Sequence, residues 1–334
     1  MNRPIISFMS NLDLSPILVT AEYTSLRWEN KSAGAGEFEI HFGKCISVPC
    51  GCVVKISAEV TEAYGVCLYI TKKEHETVVI GKMLSCIFSW RYPSIDGSSL
   101  TYSTNNGACY LVCSAARYGC VDPENYFFGK PVTYSYEAED SSLSFSASLS
   151  ESCLSTMSTI ANDAKKTFFV TVSDGAVNVS AQNYRDCGIT LIGGGGQMSE
   201  ESYTYSVDNE RNVFGYSLHS GEGYIYQKYP TLNPPEGCDR RVLYIGRFDE
   251  VPGYELKKAK ANRRVSDSFE AKINPSLRHS LFPGGRVKIE KPEWDLNQEF
   301  NITSVTDIWE DAYSCRVVFG DAQPGAYEKI IERL

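Results

Sequence analysis

Apolar and polar positions alternate most regularly in residues 266–321. In the first run the apolar positions are Phe269, Ala271 and Ile273. The other runs cover residues 286–290, 300–305 and 313–319. Alternation with a period of two, interrupted by the Pro-Gly-Gly sequence at 283–285, is typical of half-buried antiparallel strands. The segment therefore predicts four strands in a small meander, closed into a barrel.

The same order of runs occurs near the N-terminus. The matched segments are residues 38–40 with 269–271, 51–56 with 285–289, 68–71 with 300–303, and 78–81 with 317–320. Because the spacings between the segments differ by several residues, the match predicts only a weak internal repeat. The alternative interpretation is that the two meanders are unrelated and share only the composition common to short strands.

The middle of the chain contains helical as well as strand patterns. Residues 108–118 predict a short helix with Val112, Ala115 and Ala116 inward. Residues 143–165 predict a longer amphipathic helix, because apolar residues recur at steps of three and four. These are Phe145, Leu149, Cys153, Met157, Ile160 and Ala164. The Asp174-Gly175 sequence then separates two runs rich in β-branched residues, which is a strong hairpin signal.

The remaining pattern completes a mainly β chain. Strands are predicted at residues 17–19, 26–28, 37–42, in three runs between 53 and 80, around Tyr134 and Tyr136, within the tyrosine-rich segment 203–229, and at 241–245. Turns are predicted at 32–36, 62–65 and 73–76, a polar loop at 94–107, and helices at 254–264 and at the end of the chain. The predicted fold class is mainly β with an α+β insertion. Two small β-barrel-like domains, 1–92 and 241–334, flank an inserted α+β domain at 93–240.

Composition and charge limit the classes of protein. The chain has 334 residues, enough for two or three domains with a sizeable core. Its net charge of -9 argues against a broad nucleic-acid-binding face, so no specific nucleic-acid binding is expected. No apolar run reaches the roughly 18 residues of a membrane span. The Met-Asn-Arg-Pro start lacks the apolar segment of a secretory signal, so synthesis in the cytoplasm is expected.

Twelve cysteines are the main candidates for metal or redox chemistry. They are Cys45, Cys50, Cys52, Cys67, Cys86, Cys109, Cys113, Cys120, Cys153, Cys187, Cys238 and Cys315. The closest spacings are Cys109-x3-Cys113-x6-Cys120 and Cys45-x4-Cys50-x-Cys52, and neither contains the paired C-x2-C typical of structural zinc sites. Reduced thiols that pack as small apolar side chains are favoured over a disulfide framework. No metal site and no cofactor are expected.

The other candidate residues do not define a catalytic site. The histidines are His41, His75, His219 and His279. They lie in separate segments, and a Cys-His nucleophile pair stays open because such partners meet only in the fold. The glycine run 193–196 lacks the Lys-Ser/Thr of a phosphate-binding loop and predicts a flexible turn. The acidic residues Glu200-Glu201 and those at 137–140 are interpreted as solvated loop charge. No catalytic, cofactor-binding or metal-binding residue is assigned.

The order of these parts resembles that of the tail hub proteins of siphophages, which also occur in contractile tails and in phage-tail-like bacteriocins. The resemblance covers residues 17–321 and rests on three segments, 35–40 (AGEFEI), 199–214 with Asp-Asn-Glu-Arg-Asn at 208–212, and 283–289 (PGGRVKI). It implies a homotrimer in which two barrel-like domains per subunit form a ring with pseudo-sixfold symmetry. That ring would join the tail tube, or a distal tail protein ring, to a spike or tail-tip protein.

The resemblance also implies where the protein works. It would be a structural component of the virion tail, in the baseplate or tail tip, made and assembled in the cytoplasm of the bacterial host. It would not be an enzyme. The high cysteine count is a departure from what the resemblance would suggest.

Two other hypotheses stay open on the sequence. The tyrosine-rich segment 203–229 could form an aromatic platform for sugars, which would make the chain a carbohydrate-binding or glycan-degrading tail module. Tyrosines that pack on a neighbouring sheet are the alternative interpretation of the same pattern. A cytoplasmic thiol or zinc protein is the second hypothesis, and it is suggested by the cysteines alone.

Overall fold

The computed structural model describes residues 2–59, 62–92, 99–120, 126–148, 151–206, 210–221, 223–230, 240–253, 256 and 266–321. The α-helices in these residues are α1 (Gly107–Tyr118) and α2 (Cys153–Asp163). The strands are β1 (Ile5–Met9), β2 (Pro16–Thr20), β3 (Ser25–Lys31), β4 (Glu37–Phe42), β5 (Val53–Ser57), β6 (Glu62–Lys72), β7 (Thr77–Met83), β8 (Ser99–Thr104), β9 (Thr133–Tyr136), β10 (Leu143–Ser148), β11 (Lys166–Ser173), β12 (Ala176–Asn183), β13 (Arg185–Ile192), β14 (Met198–Ser206), β15 (Val213–Ser220), β16 (Gly223–Tyr229), β17 (Val242–Phe248), β18 (Ser266–Ile273), β19 (Gly285–Lys291), β20 (Leu296–Trp309) and β21 (Tyr313–Gly320). Short 3-10 helices cover Leu84–Trp90, Pro275–Ser280 and Pro292–Trp294. The predicted fold class, mainly β with a smaller α+β part, is confirmed.

Contacts within the chain divide it into two compact units. Unit 1 consists of Met1–Glu201 and Glu270–Phe319, and unit 2 consists of Ser202–Phe269 and Gly320–Leu334. Both α-helices belong to unit 1, and the three-stranded sheet β16-β15-β17 belongs to unit 2. The division into three domains at 92 and 240 stays a prediction.

The largest sheet has 13 strands, in the order β14-β18-β21-β20-β3-β4-β7-β6-β5-β1-β2, with β19 and then β13 branching from β20. Among the described strands this order is open, and no pairing closes it into the predicted barrels. The reason lies in β20, which is 14 residues long. Its first half pairs with β19, and its second half pairs with both β21 and β3. The strand therefore joins N-terminal and C-terminal strands instead of closing on its own meander.

The predicted C-terminal strands are confirmed as β18 to β21, but they do not pair as a simple meander. Strand β18 lies beside β21, β21 beside β20, and β20 beside β19. Strands β4 to β7 have the same arrangement, because β4 pairs with β7, β7 with β6, and β6 with β5. In addition, β3 lies beside β4 as β14 lies beside β18. We call β3 to β7 the N-terminal repeat, and β14 with β18 to β21 the C-terminal repeat.

The two repeats also share their hydrogen-bond register. Equivalent opposed pairs are Val54 with Gly65 and Val287 with Phe300. A bulge interrupts the β6–β7 ladder after Cys67, and an equivalent bulge interrupts the β20–β21 ladder after Ile302. The ladders match Val79 with Val317 and Gly65 with Phe300, so the two matches made on sequence alone are wrong by one and by three residues. Shared strand order, register and bulge position support the internal repeat over the interpretation of two unrelated meanders.

The α+β part confirms one predicted helix and corrects the other. Helix α1 has Val112, Ala115 and Ala116 buried, as predicted. The first half of the helix predicted at 143–165 is wrong, because Leu143–Ser148 forms β10 and α2 begins after Ser152. Serine alternates with Leu143, Phe145 and Ala147 along β10, a period of two that fits a strand, and the Ser152 side chain caps the helix that follows. Strand β10 pairs with β8, so the loop predicted at 94–107 is also wrong at residues 99–104.

The Asp-Gly hairpin is confirmed as β11 and β12. Asp174 and Gly175 have φ values of 51° and 72°, as a two-residue hairpin turn requires. A further correction concerns the turn predicted at 62–65, because these residues open β6. The predicted helices at 254–264 and at the end of the chain lie outside the described residues, apart from the single helical residue Leu256.

Candidate functional site

The junction between the two repeats is a ladder of β20 and β3. It runs from Ser304 opposite Lys31 to Trp309 opposite Leu26. Beneath it the indole rings of Trp28 and Trp309 lie 4.8 Å apart, and both side chains are buried. Trp309 also lies 4.8 Å from the ring of Tyr313. Large aromatic side chains therefore fix the two repeats to each other through a single strand pair.

A buried ion pair stabilises β20 next to this aromatic cluster. Arg278 donates to both carboxylate oxygens of Asp307 at 2.7 Å, and also to the carbonyl oxygen of Leu281 at 2.8 Å. The Tyr313 hydroxyl donates to Asp307 Oδ1 at 2.6 Å. Burial raises the pKa of Tyr313, and the charge of Asp307 adds to that shift. Burial lowers the pKa of Arg278, but the hydrogen bonds to Asp307 and its negative charge together outweigh this effect, so the pKa is raised and Arg278 stays charged.

The corresponding junction would join β6 of the N-terminal repeat to β14 of the C-terminal repeat. These two strands do not pair with each other in the described part of the chain. Residues 69–72 of β6 occupy the place of 304–307 of β20, and they pair with β7 only. Strand β14 occupies the place of β3, and among the described strands its partner is β18. Tyr69 is 67% exposed where its counterpart Ser304 is 3% exposed. Strands β6 and β14 are thus the two components of a second junction.

A different feature lies in unit 2, where the sheet β16-β15-β17 has two contrasting faces. One face packs into a small core of Phe214, Tyr216 and Leu256. The opposite face is exposed and aromatic. It contains Tyr224 and Tyr226 of β16 and Tyr244 of β17, each about half exposed. We call the side of the sheet that contains these three tyrosines the aromatic face.

The aromatic face is ordered by contacts among its own side chains. The Tyr226 and Tyr244 rings have centroids 6.5 Å apart and planes 15° apart. Tyr244 donates its hydroxyl hydrogen to Ser217 Oγ at 3.0 Å. The guanidinium carbon of Arg247 lies 5.3 Å from the centroid of the Tyr224 ring. The segment 203–229 therefore includes exposed tyrosines, as the sugar-platform hypothesis requires, and a single buried one in Tyr216.

The structure separates the candidate thiols. Cys109 and Cys113 on α1 and Cys120 just after it are buried, and burial raises their pKa values to about 11, 12 and 11. Cys45 and Cys50 are exposed, whereas Cys52 is buried beside Cys67. The buried thiols pack as small apolar side chains. Within the described residues no group of three or more His, Cys, Asp or Glu side chains is arranged to hold a metal ion.

The four histidines lie on different elements, and none of the described contacts joins one to a thiol. His75 is exposed in the β6–β7 turn, His219 lies on β15, and His279 lies in the Pro275–Ser280 3-10 helix. His41 on β4 bridges two carboxylates, with Nδ1 2.8 Å from Glu76 and Nε2 2.6 Å from Glu39. Burial lowers the pKa of His41, but the hydrogen bonds to Glu76 and Glu39 outweigh it and raise the pKa above its ordinary value.

Raising the pH from about 6 to about 9 should therefore destabilise the wild-type protein more than a His41→Gln variant. The folded pKa of His41 lies above the unfolded value of about 6.5, so its contribution is complete below that value and is lost as pH rises through the folded pKa. Urea unfolding midpoints of both proteins at the two pH values measure the difference. Equal loss of stability in the two proteins would contradict the assignment of the effect to His41.

The acidic candidates are ion-paired, which corrects their interpretation as solvated loop charge. Glu200 and Glu201 lie on β14, where Glu200 pairs with Arg316 and Lys272 and Glu201 pairs with Lys291. In the cluster at 137–140, Glu137 pairs with Arg185 and Glu139 with Lys166. The glycine run 193–196 is a turn, as predicted, and it leads into β14 rather than into a helix that could bind an anion.

Similarity to solved structures identifies the class of fold. No protein-family model matches the sequence, and no curated protein does. The tail protein from Neisseria meningitidis MC58 matches with a TM-score of 0.60 at 12% identity, over 96% of this chain and 97% of that one. The 43 kDa tail protein of prophage MuSo2 from Shewanella oneidensis matches with a TM-score of 0.61 at 12% identity, over 96% and 98%. A chain of the phage P2 baseplate in its activated conformation matches with a TM-score of 0.50 at 11% identity, over 96% and 100%.

The chain therefore has the fold of phage tail proteins, as its resemblance to tail hub proteins predicted. The likeness extends over nearly the whole of both chains, so it includes the two repeats and the part between them. In the part of the chain that the structure describes, no helix has the length and apolar character to span a membrane.

Proposed function

We propose that this chain is a structural hub of a phage tail or phage-tail-like particle. Three subunits form a ring of six repeats, and the ring joins a hexameric tail tube, or a distal tail protein ring, to the spike or tail-tip protein. The protein acts in the baseplate or tail tip of the virion after assembly in the bacterial host cytoplasm, and it acts by assembly rather than by catalysis. The fold it shares with phage tail proteins supports this assignment.

The single observation on which the proposal rests is the repeated strand pattern. One junction between the repeats is paired within the chain, and the corresponding second junction is not. Within a subunit, β20 of the C-terminal repeat pairs with β3 of the N-terminal repeat. Between subunits, residues 69–72 of β6 would pair with β14 of the next subunit in the same way. An edge strand can accept a further strand through backbone hydrogen bonds.

This contact is heterologous, because different surfaces of the two subunits meet. A heterologous contact closes into a ring when its rotation divides a full turn. If the contact between subunits copies the junction within a subunit, the two kinds of junction alternate around the ring and are nearly equivalent to each other. Three subunits then give six similar junctions, which match a sixfold tube.

A double substitution at the open edge tests this contact. Tyr69→Lys with Thr71→Lys places two charges on exposed positions of β6, and lysines on an edge strand oppose strand addition. Wild-type protein should have a mass near three times 37.1 kDa by light scattering, alone or after mixing with the product of the neighbouring gene. The double variant should stay monomeric under the same conditions.

Ile17→Lys with Val19→Lys is the matched control. Both residues are exposed on β2, the edge strand of the same sheet that lies beyond β5 and β1 from β6, and outside the proposed contact. This variant should assemble like the wild type, and circular dichroism should show that both variants are folded. The proposed ring would be overturned if the wild-type protein stays monomeric even with the product of the neighbouring gene, or if the β6 variant still forms trimers.

A further inference from the structure

We propose that the aromatic face of unit 2 binds an anionic polysaccharide. The sugar rings stack on Tyr226 and Tyr244, and the acidic groups of the polymer pair with Lys228 and Arg247. This site lies on β15, β16 and β17, apart from the strand edges of the proposed ring contact. It therefore does not depend on the proposed hub function.

The tyrosines form a surface that a sugar can cover. Tyr226 is 54% exposed and Tyr244 is 50% exposed, and their rings lie 15° from parallel on either side of β15. The faces of aromatic rings are electron-rich, and the C–H groups on the apolar side of a pyranose are weakly positive. Stacking of a sugar on these rings therefore gains both burial and electrostatic attraction.

Gly215 allows Tyr226 to lie across the middle strand. A Cβ atom at this position would come within 2.3 Å of the Tyr226 hydroxyl oxygen and within 2.8 Å of its ring. Any larger residue would therefore push the ring away from its place beside Tyr244. The hydrogen bond from Tyr244 to Ser217 fixes the second ring. Little side-chain entropy remains to be lost when a ligand binds, because both rings are already held.

The charge of this sheet is opposite to that of the chain. The whole protein has a net charge of -9, yet β15, β16 and β17 contain no Asp or Glu and two cations, Lys228 and Arg247. The register places Lys228 opposite Gly215 and Arg247 opposite Ser217, on the same side as the tyrosines. Within the described residues neither cation forms an ion pair with a carboxylate. The face is therefore complementary to a ligand with both apolar rings and negative groups.

An acidic saccharide polymer fits this combination better than the other anionic polymers. A nucleic acid would also stack, but its binding depends on many phosphate contacts, and the face has only two lysine or arginine side chains. An acidic peptide would form ion pairs with the two cations, but it would provide no flat group to stack on the parallel tyrosine rings. Saccharides also carry hydroxyl groups that the tyrosine and serine hydroxyls of the face can bind.

Calorimetric titration of the full chain is the test, with two probes that differ in the source of the negative charge. Polygalacturonate supplies carboxylates and phosphomannan supplies phosphates, and the tighter of the two identifies the group that Lys228 and Arg247 prefer. Dextran is the neutral comparison and should bind at least about tenfold more weakly. Tyr226→Ala and Tyr244→Ala should each weaken binding about tenfold, as expected for the loss of one stacking ring.

Further variants separate stacking from charge and from damage to the fold. Lys228→Gln with Arg247→Gln should remove most of the salt dependence of binding. Gly215→Ala keeps every ring and charge but displaces Tyr226, so it should weaken binding while leaving the salt dependence intact. Tyr205→Ala removes a tyrosine that is 63% exposed outside the three strands, and it should bind like the wild type. The monomeric variant with Tyr69→Lys and Thr71→Lys should also bind like the wild type when binding is expressed per chain.

Several results would overturn the proposal. One is the absence of binding to both anionic polysaccharides, and another is binding that Tyr226→Ala and Tyr244→Ala leave unchanged. Tighter binding of oligothymidylate than of either polysaccharide would assign the face to nucleic acid. Tighter binding of polyglutamate would assign it to an acidic protein. Because a ring-deficient variant is included, failure here is distinguishable from failure of the hub proposal.

Discussion

Replacing Asp307 by alanine should lower the free energy of unfolding by about 3–5 kcal/mol. The carboxylate accepts two hydrogen bonds from Arg278 and one from Tyr313, and its side chain is only 1% exposed. Its removal leaves the Arg278 guanidinium charged, 7% exposed and held only by the carbonyl of Leu281. An uncompensated buried charge is what makes such a loss large. Urea unfolding of wild type and variant at neutral pH measures the effect.

The exposed pair of Glu200 and Arg316 provides the matched comparison. Their side chains are 48% and 55% exposed, so Glu200→Ala should cost no more than ~1 kcal/mol. The double replacement of Asp307 by leucine and Arg278 by methionine should cost less than Asp307→Ala alone, because it removes both buried charges together. If Asp307→Ala costs no more than Glu200→Ala, the buried pair does not stabilise β20 as described.

Replacing Trp309 by alanine should lower the free energy of unfolding by about 3–5 kcal/mol as well. The side chain is 3% exposed and lies between the rings of Trp28 and Tyr313, at centroid distances of 4.8 Å on both sides. The variant loses this apolar burial and leaves a cavity under the β20–β3 ladder. Urea unfolding measures the total loss. Hydrogen exchange of the amides of β3 should show a further local loss of protection.

Trp294→Ala is the control for the loss of an indole ring. Trp294 is 40% exposed in the Pro292–Trp294 3-10 helix, so its removal should cost roughly 1 kcal/mol or less. A Trp309→Ala variant that keeps the protection of the β3 amides would contradict the role of the aromatic cluster in holding the two repeats together.

Local chemistry accounts for the elements that the sequence predicted correctly. The Asp174-Gly175 turn was predictable because only a few residues adopt two successive positive φ values. Helix α1 was predictable because Val112, Ala115 and Ala116 follow helical spacing. The error at β10 arose because the apolar residues at 145, 149 and 153 also fit a helical step. The alternating serines and the capping Ser152 were the signals that could have corrected it.

The parts that were not predicted depend on contacts between distant segments. Nothing local to Arg278 indicates that its partner is Asp307, and nothing local to β3 indicates that it pairs with β20. For the aromatic face, the tyrosine-rich segment 203–229 was visible in the sequence. Tyr244 and Arg247 were not associated with it, because β17 reaches β15 from beyond that segment. Exposure itself also depends on the fold, since Tyr216 is buried while Tyr226 is not.

The β20–β3 ladder has a consequence for synthesis of the chain on the ribosome. Strand β3 is complete by residue 31, but its partner strand begins at residue 296. Translation at roughly 5–20 residues per second leaves the edge of β3 without this partner for many seconds. Trp28 has no Trp309 to pack against during that interval. Nascent chains that stall before β20 should therefore be prone to aggregation, and they should be the forms of this protein that engage ribosome-associated chaperones.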